Sequence, residues 1–273
     1  MALIHHIAVG YGQPPIVFVH GFACAHTDWD TQVAHLAPYH QTIAVDLRGH
    51  GASPGSPDEC SIERYGADVA EVMHHLNLAA AVLVGHSMGC RVVIEAALQA
   101  PHRVAGLVLV DGSQCAAAMR TALVQTFDTS DGYRTLIARW FREMFTTKSN
   151  AEVVAKTFRR AGTLPQPIGK KLLLDLVRYD SVRLATSLAS VNLPVMAIQS
   201  TYSNELRERR PMTSGQTTSY LDMLRINVPA VRVEIIPGIG HFPQIDSATQ
   251  VNELLDDFVG SLGTAHTPDD GVV

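Results

Sequence analysis

Two rhythms of apolar residues alternate along this chain. Short unbroken apolar runs recur: "PIVFVH" at 15–20, "TIAVD" at 42–46, "AAVLVGH" at 80–86, "VAGLVLVD" at 104–111, "LPVMAIQS" at 193–200 and "VRVEII" at 231–236. They are too short for helices and rich in β-branched residues, and all but "VRVEII", which is simply strand-like, lack alternation with polar residues. That pattern predicts strands buried on both faces. Longer segments with helical spacing lie between them, at 27–36, 61–78, 88–100 and 247–262. In 61–78 the apolar positions are Ile62, Tyr65, Val69, Val72, Met73 and Leu76, and Ser61 stands where an N-cap belongs. Thr27 is the corresponding cap for 27–36, and Pro101 closes 88–100. Strand–helix alternation with wholly apolar strands predicts an α/β fold. Its central sheet is mostly parallel, with helices on both faces.

The rhythm breaks after Asp111. Residues 116–190 read as helical, with a proline loop "TLPQP" at 163–167. The expected organisation is a core domain made of 1–113 and 191–273, with 114–190 inserted as a helical cap, or lid, over one edge of the sheet. The polar tail "GTAHTPDDGVV" is expected to be loose.

Composition narrows the classes. With 47% hydrophobic and 17% charged residues, the chain of 273 can bury a sizeable core. A net charge of −5 gives no reason to expect a nucleic-acid partner, and the one basic cluster, "RERR" at 207–210, reads as a solvated helix end. No run approaches the ~20 apolar residues of a membrane span, and the N-terminus lacks the pattern of a signal peptide. Cys24, Cys60, Cys90 and Cys115 show no C-x-x-C spacing and are expected to be free thiols in a reducing cytoplasm. The thirteen histidines show no metal-ligand spacing, so neither a metal nor another cofactor is expected.

The residues suited to chemistry fall at predicted strand ends, where an open parallel sheet binds ligands. Ser87 lies in "GHSMG", a G-x-S-x-G between a strand and a helix. Side chains at Gly85 or Gly89 would crowd so tight a turn, and the helix start beyond Ser87 favours developing negative charge. A serine hydroxyl needs a general base to become a nucleophile. His241, in the loop "PGIGHFP" at 237–243, is the best placed, whereas His86 beside the serine should point elsewhere. Acyl transfer also needs donors for an oxyanion. The N–H groups of Met88 and Phe22 are the candidates, with Gly21 allowing close approach and His20 tying the loop down.

"FVHGF" at 18–22, "DLRGHGAS" at 46–53, "GHSMG" at 85–89 and "GIGHFP" at 238–243 stand in the order and spacing of the α/β-hydrolase family, which the chain resembles over about 14–112 and 193–262. The resemblance implies Ser87 as nucleophile, His241 as base, the Phe22 and Met88 amides as oxyanion hole, and a structural turn at Asp46 and Arg48. It also exposes a departure. The family's acid usually follows the strand at 193–200 in a G-x-x-D context, but here the chain reads "AIQSTYSNELRER". Asp111, 24 residues beyond Ser87, has the spacing of the relocated acid of haloalkane dehalogenases. Glu205 and Asn204 remain as alternatives, in a segment expected to lead into a basic helix.

A serine nucleophile implies an acyl-enzyme. The expectation is a serine hydrolase acting on a small, fairly apolar carboxylic ester or lactone, without nucleic-acid or membrane partners; the sequence carries no signal of oligomeric state. A lactonase, a carbon–carbon hydrolase of ring-cleavage products, and a small-molecule receptor on the same scaffold stay open. Met119, Leu123, Phe127, Tyr133, Trp140, Phe141, Met144 and Phe145 are expected mainly to pack the cap onto the body, some facing the cleft. Arg139 and Arg142 are expected at the surface.

Overall fold

A computed structural model describes residues 3–204 and 208–264. β1 (His6–Val9) and β2 (Ile16–Val19) lead into α1 (Asp30–Leu36), β3 (Thr42–Val45) and α2 (Ile62–His75). Then come β4 (Ala81–His86), α3 (Met88–Gln99) and β5 (Val104–Val110). Five helices follow without a strand: α4 (Met119–Phe127), α5 (Gly132–Glu143), α6 (Ala151–Ala161), α7 (Gln166–Val182) and α8 (Leu184–Ala189). After β6 (Val195–Gln199), a hairpin of β7 (Thr201–Ser203) and β8 (Arg209–Pro211) precedes α9 (Ser219–Asn227) and β9 (Arg232–Ile235). α10 (Pro243–Asp246) and α11 (Ala248–Thr264) complete the chain.

The seven-stranded sheet has the order β1-β3-β2-β4-β5-β6-β9. All neighbours are parallel except β1, which runs antiparallel to β3. The expected α/β class and mostly parallel sheet are therefore present. Strand direction explains the two faces. Val17, Val19, Leu83 and Leu109 join one buried cluster with α2 and α3. Their alternates Ile16, Phe18, Val84 and Val110 join a second with Trp29 and the α11 residues Val251, Leu255 and Phe258. Trp29 is fully buried, its ring 5.0 Å from that of Phe18. Each large side chain so enclosed contributes about 1.5–3 kcal/mol.

Several local features differ from the expectations. Ser61 caps α2 by accepting from the Arg64 N–H at 3.2 Å. Thr27 caps nothing: the chain enters α1 through a 3₁₀ turn over His26–Trp29 that has no side-chain cap. β1 carries no continuous apolar run because it is a partly exposed edge strand, paired on one side only. The basic segment after β6 forms the β7–β8 hairpin where a helix was expected.

Polar contacts tie the five-helix insertion to the body. Arg91 on α3 makes a two-pronged ion pair with Asp180 on α7, at 2.7 and 2.6 Å. Both partners are buried, and a pair so enclosed fixes geometry more than it adds net stability. Asp175 on α7 accepts from the Ile62 N–H at 2.9 Å, meeting the positive end of α2.

The strand order reverses between β2 and β4, since β3 lies on one side of β2 and β4 on the other. The crevice beyond the carboxyl ends of these strands is the natural ligand site of such a sheet.

Candidate active site

Ser87 is the single residue between β4 and α3, with φ 54° and ψ −112°. L-residues seldom adopt that conformation, and its cost is carried by the surrounding packing. The two glycines have the steric role expected of them. A Cβ on Gly85 would lie 2.3 Å from the Gly89 carbonyl oxygen, and one on Gly89 would lie 2.4 Å from that of Val19. The turn thus brings β4, α3 and β2 into backbone contact. It leaves Ser87 half-buried, with its N–H donating to Val110 O at 2.9 Å.

His241 arrives from the loop after β9. Its N–H donates to Met144 O in the insertion at 2.7 Å, and its ring is buried. Nε2 stands 2.9 Å from Ser87 Oγ, and Nδ1 stands 2.6 Å from Asp111 Oδ2. Serine, imidazole and carboxylate lie in series although 154 and 130 residues separate the two pairs.

Asp111, just beyond β5, is fully buried and also has a positive φ, 45°. Its Oδ1 accepts from the Ser200 and Thr201 N–H groups at 2.7 Å each and from Gln199 Nε2 at 3.1 Å. Oδ2 accepts from Thr201 Oγ1 at 2.5 Å and faces His241 Nδ1. Burial alone would raise its pKa. The His241 contact, the nearby Arg209 charge and the Thr201 hydroxyl outweigh it and hold the carboxyl below the usual range. The end of β6 therefore supplies donors to a carboxylate from the neighbouring strand. Asn204 is engaged with Glu208 through both amide atoms, and Glu205 lies outside the described residues.

Burial, then the Arg209 charge, lowers the His241 pKa from 6.5 to about 4, against the opposing pull of Asp111. The ring is a neutral base over most of the pH range. An imidazole held this way can take a proton at Nε2 while its Nδ1–H stays on the carboxylate.

The neighbouring histidines brace the site. His86 Nε2 donates to His241 O at 2.7 Å, so this ring points away from Ser87 and holds the His241 loop. His20 Nδ1 donates to Gly21 O at 2.7 Å while its Nε2 accepts from the Leu47 N–H at 3.0 Å. His50 Nε2 accepts from the Ala23 N–H at 3.2 Å. Burial depresses His20 to about 3 and His50 to about 4, which keeps both rings in these neutral donor–acceptor roles. The loop they hold carries Phe22, and a Cβ on Gly21 would sit 3.1 Å from Ser87 Cβ. Among the described residues, neither the Phe22 nor the Met88 N–H has an acceptor, and Met88 opens α3, whose first amides lack intrahelical partners.

Asp46 organises the turn at 46–53, accepting from the N–H groups of His26 at 2.8 Å and Ala52 at 2.9 Å. Arg48 pairs instead with Asp68, at 2.6 and 3.1 Å. One trio of metal-ligating groups converges among the described residues: His5 and His26 each place Nδ1 3.0 Å from an Asp46 oxygen. Its members come from separate elements, so sequence spacing gave no sign of it. The four cysteines are free thiols, and burial pushes Cys90 and Cys115 up to about 12. Arg139 and Arg142 are exposed.

Sequence reasoning missed Arg209. Within the supposedly solvated "RERR", its Nη1 lies 3.0 Å from His241 Nδ1 and 2.8 Å from Thr201 Oγ1. A local charge count cannot distinguish it from Arg210, which pairs with Glu208 at the surface at 2.6 Å.

The chain belongs to the α/β hydrolase fold family, whose pattern it matches over residues 14–248. It is 25% identical over 258 residues to the dihydrolipoyllysine-residue acetyltransferase component of the acetoin cleaving system of Pseudomonas putida. That match covers 90% of this chain and 63% of the relative, so this chain spans somewhat under two thirds of that protein. A non-heme haloperoxidase of Rhodococcus erythropolis is 36% identical over 140 residues, covering 50% of this chain and 48% of the relative. An esterase from Exiguobacterium antarcticum shares the fold with a TM-score of 0.79 at 18% identity, over 94% of this chain and 95% of that one. Among the described residues, no helix is long and apolar enough to cross a membrane.

Proposed function

We propose that this protein is a cofactor-free serine hydrolase that cleaves a small, fairly apolar carboxylic ester through an acyl-enzyme. The observation that carries the reading is the series Ser87 Oγ–His241–Asp111, at 2.9 and 2.6 Å, on a strained turn at the start of α3. His241 Nε2 takes the Ser87 proton as Oγ attacks the ester carbonyl. The Phe22 and Met88 N–H groups receive the oxyanion. His241 returns the proton to the departing alcohol, then takes one from a water that attacks the acyl-enzyme. His241 gives that proton to Ser87 Oγ as the acid leaves, which restores both residues. Asp111 fixes the tautomer and stabilises the imidazolium formed in each step.

The insertion at 114–190 acts as a cap. Its Met144 carbonyl anchors the His241 amide, and Phe145 stacks on Phe242 with ring centres 5.1 Å apart. Half-buried Met144 and Phe145 beside the His241 loop favour an apolar acyl or alcohol group. Four free thiols suit a reducing cytoplasm.

The test is a stopped-flow burst with p-nitrophenyl acetate. Wild-type protein releases about one equivalent of nitrophenol per site, and mass spectrometry finds the acetyl group on Ser87. Ser87→Ala loses the burst and at least about 10⁴-fold in turnover. Turnover that persists in Ser87→Ala sinks the proposal. Tight ligand binding without turnover in intact protein would favour a receptor. A panel of esters, lactones and vinylogous diketones then names the substrate class.

A further inference from the structure

We propose that Arg209 is a positioning residue for His241: it orients the Thr201 hydroxyl onto Asp111 and holds the imidazole in its uncharged, base-competent form. This inference rests on the role just proposed for His241.

The geometry starts with one nitrogen. Arg209 Nη1 lies 2.8 Å from Thr201 Oγ1, 3.0 Å from His241 Nδ1 and 3.6 Å from Asp111 Oδ2. Its side chain is 17% exposed, so the charge is largely enclosed with the site. The hairpin explains how it gets there. Thr201 opens β7, separated from the end of β6 only by Ser200, and β8 returns antiparallel with Arg209 opposite Ser203.

Proton bookkeeping decides what each contact is. Nδ1 has one in-plane hydrogen-bonding position, which either donates or accepts. Asp111 Oδ2 is 2.6 Å away on a carboxyl held ionised by its surroundings, and a lone pair facing it would be repelled. Nδ1 therefore carries the proton, and the Nε2 lone pair faces Ser87 Oγ. The 3.0 Å approach of Nη1 to Nδ1 is then a contact between two donors, not a hydrogen bond. Arg209 donates instead to Thr201 Oγ1, whose own proton goes to Asp111 Oδ2 at 2.5 Å. The arginine thereby fixes a rotatable hydroxyl as a donor to the carboxylate.

The same contact sets a charge against the ring. The titratable groups facing His241 are Asp111 from the end of β5, Arg209 from β8 and His86 from β4, its ring centre 4.7 Å away. The insertion contributes the neutral Met144 carbonyl. Asp111 favours a second proton on His241, burial and Arg209 oppose it, and buried His86 stays neutral. Around Arg209 itself, burial opposes its charge and lowers its pKa on balance, while Asp111, Cys115 and Glu143 on α5 favour the charge and Arg91 on α3 opposes it. A like charge this close shifts a buried group by about 1–3 pH units. The imidazole must be neutral to accept the Ser87 proton, so activity disappears as pH falls through the His241 midpoint. Removing Arg209 raises that midpoint and costs activity on the acid side.

The experiment is a histidine-ring NMR titration of wild type, Arg209→Gln and Arg209→Lys, with pH profiles of kcat/KM in parallel. Wild-type His241 is expected to stay neutral down to about pH 4. Arg209→Gln is expected to raise the midpoint and the acid limb of kcat/KM together by at least about one unit. Arg209→Lys retains most of the wild-type behaviour. Coincident midpoints in wild type and Arg209→Gln overturn the inference. If Arg209→Gln does not fold, a wild-type midpoint near 6.5 overturns it. The ring titration is read without any substrate, so its result stays separate from the Ser87 burst that decides the hydrolase reading.

Discussion

The ends of β4 and β6 lie two strands apart on one rim and are built by different forces. At β4, everything happens within a few residues. Gly85 and Gly89 allow a backbone contact that any Cβ would block, Ser87 takes the strained conformation, and α3 begins at once. At β6, almost nothing is local. Ser200 and Thr201 matter because Asp111 arrives from β5, and Arg209 matters because a hairpin returns it to His241. The first site is specified by sterics, the second by electrostatics among partners distant in sequence. A motif can encode the first kind, whereas the second has no fixed spelling.

Three substitutions sharpen that contrast. The largest effect is expected from Asp111→Asn, which removes the acceptor that sets the His241 tautomer. Single-turnover acylation should slow by about 10⁴-fold. The Asp111 oxygens meet donors on both sides, so either orientation of the new amide turns an NH₂ onto a donor. A lower melting temperature is therefore also expected. Near-wild-type acylation, with Glu205→Gln inactive, would move the acid to Glu205.

Gly89→Ala tests the steric end. Its added methyl would lie 2.4 Å from the Val19 carbonyl oxygen, a backbone atom that cannot swing aside. A loss of about 1–3 kcal/mol in urea denaturation is expected. Unchanged stability would mean that the turn has room the packing does not show.

Thr201→Val tests the electrostatic end without changing shape. It removes the link between Arg209 and Asp111, and kcat should fall about tenfold, the scale of one hydrogen bond to a charged group. An unchanged kcat would reduce the Thr201 hydroxyl to a bystander.

The same division runs through what could be read in advance. Five strands, β2 to β6, were visible because each is buried on both faces and so carries an apolar run, whereas the half-buried edge strand β9 showed itself by its Val233 and Ile235 alternating with charged residues. Edge strand β1 was not visible, since half-exposure leaves it no such run. Ser61 announced its helix, but Thr27 did not, because the chain there chooses a 3₁₀ entry that needs no cap. Asp111 could be weighed from its spacing to Ser87, yet only its place beside His241 separates it from a loop aspartate. Arg209 could not be weighed at all, because Arg210 beside it has the same chemistry and points to a surface carboxylate.

By itself, then, the sequence determined the alternation of strands and helices, the turn at Ser87 and the glycine positions that make it. Those depend on periodicity and on clashes within a few residues. Tertiary structure alone decided which strand end orients the imidazole, which histidines brace loops, and that a cation stands against the His241 ring. Those depend on distances between groups up to 155 residues apart, set when the sheet closes its order and brings its loops to one rim.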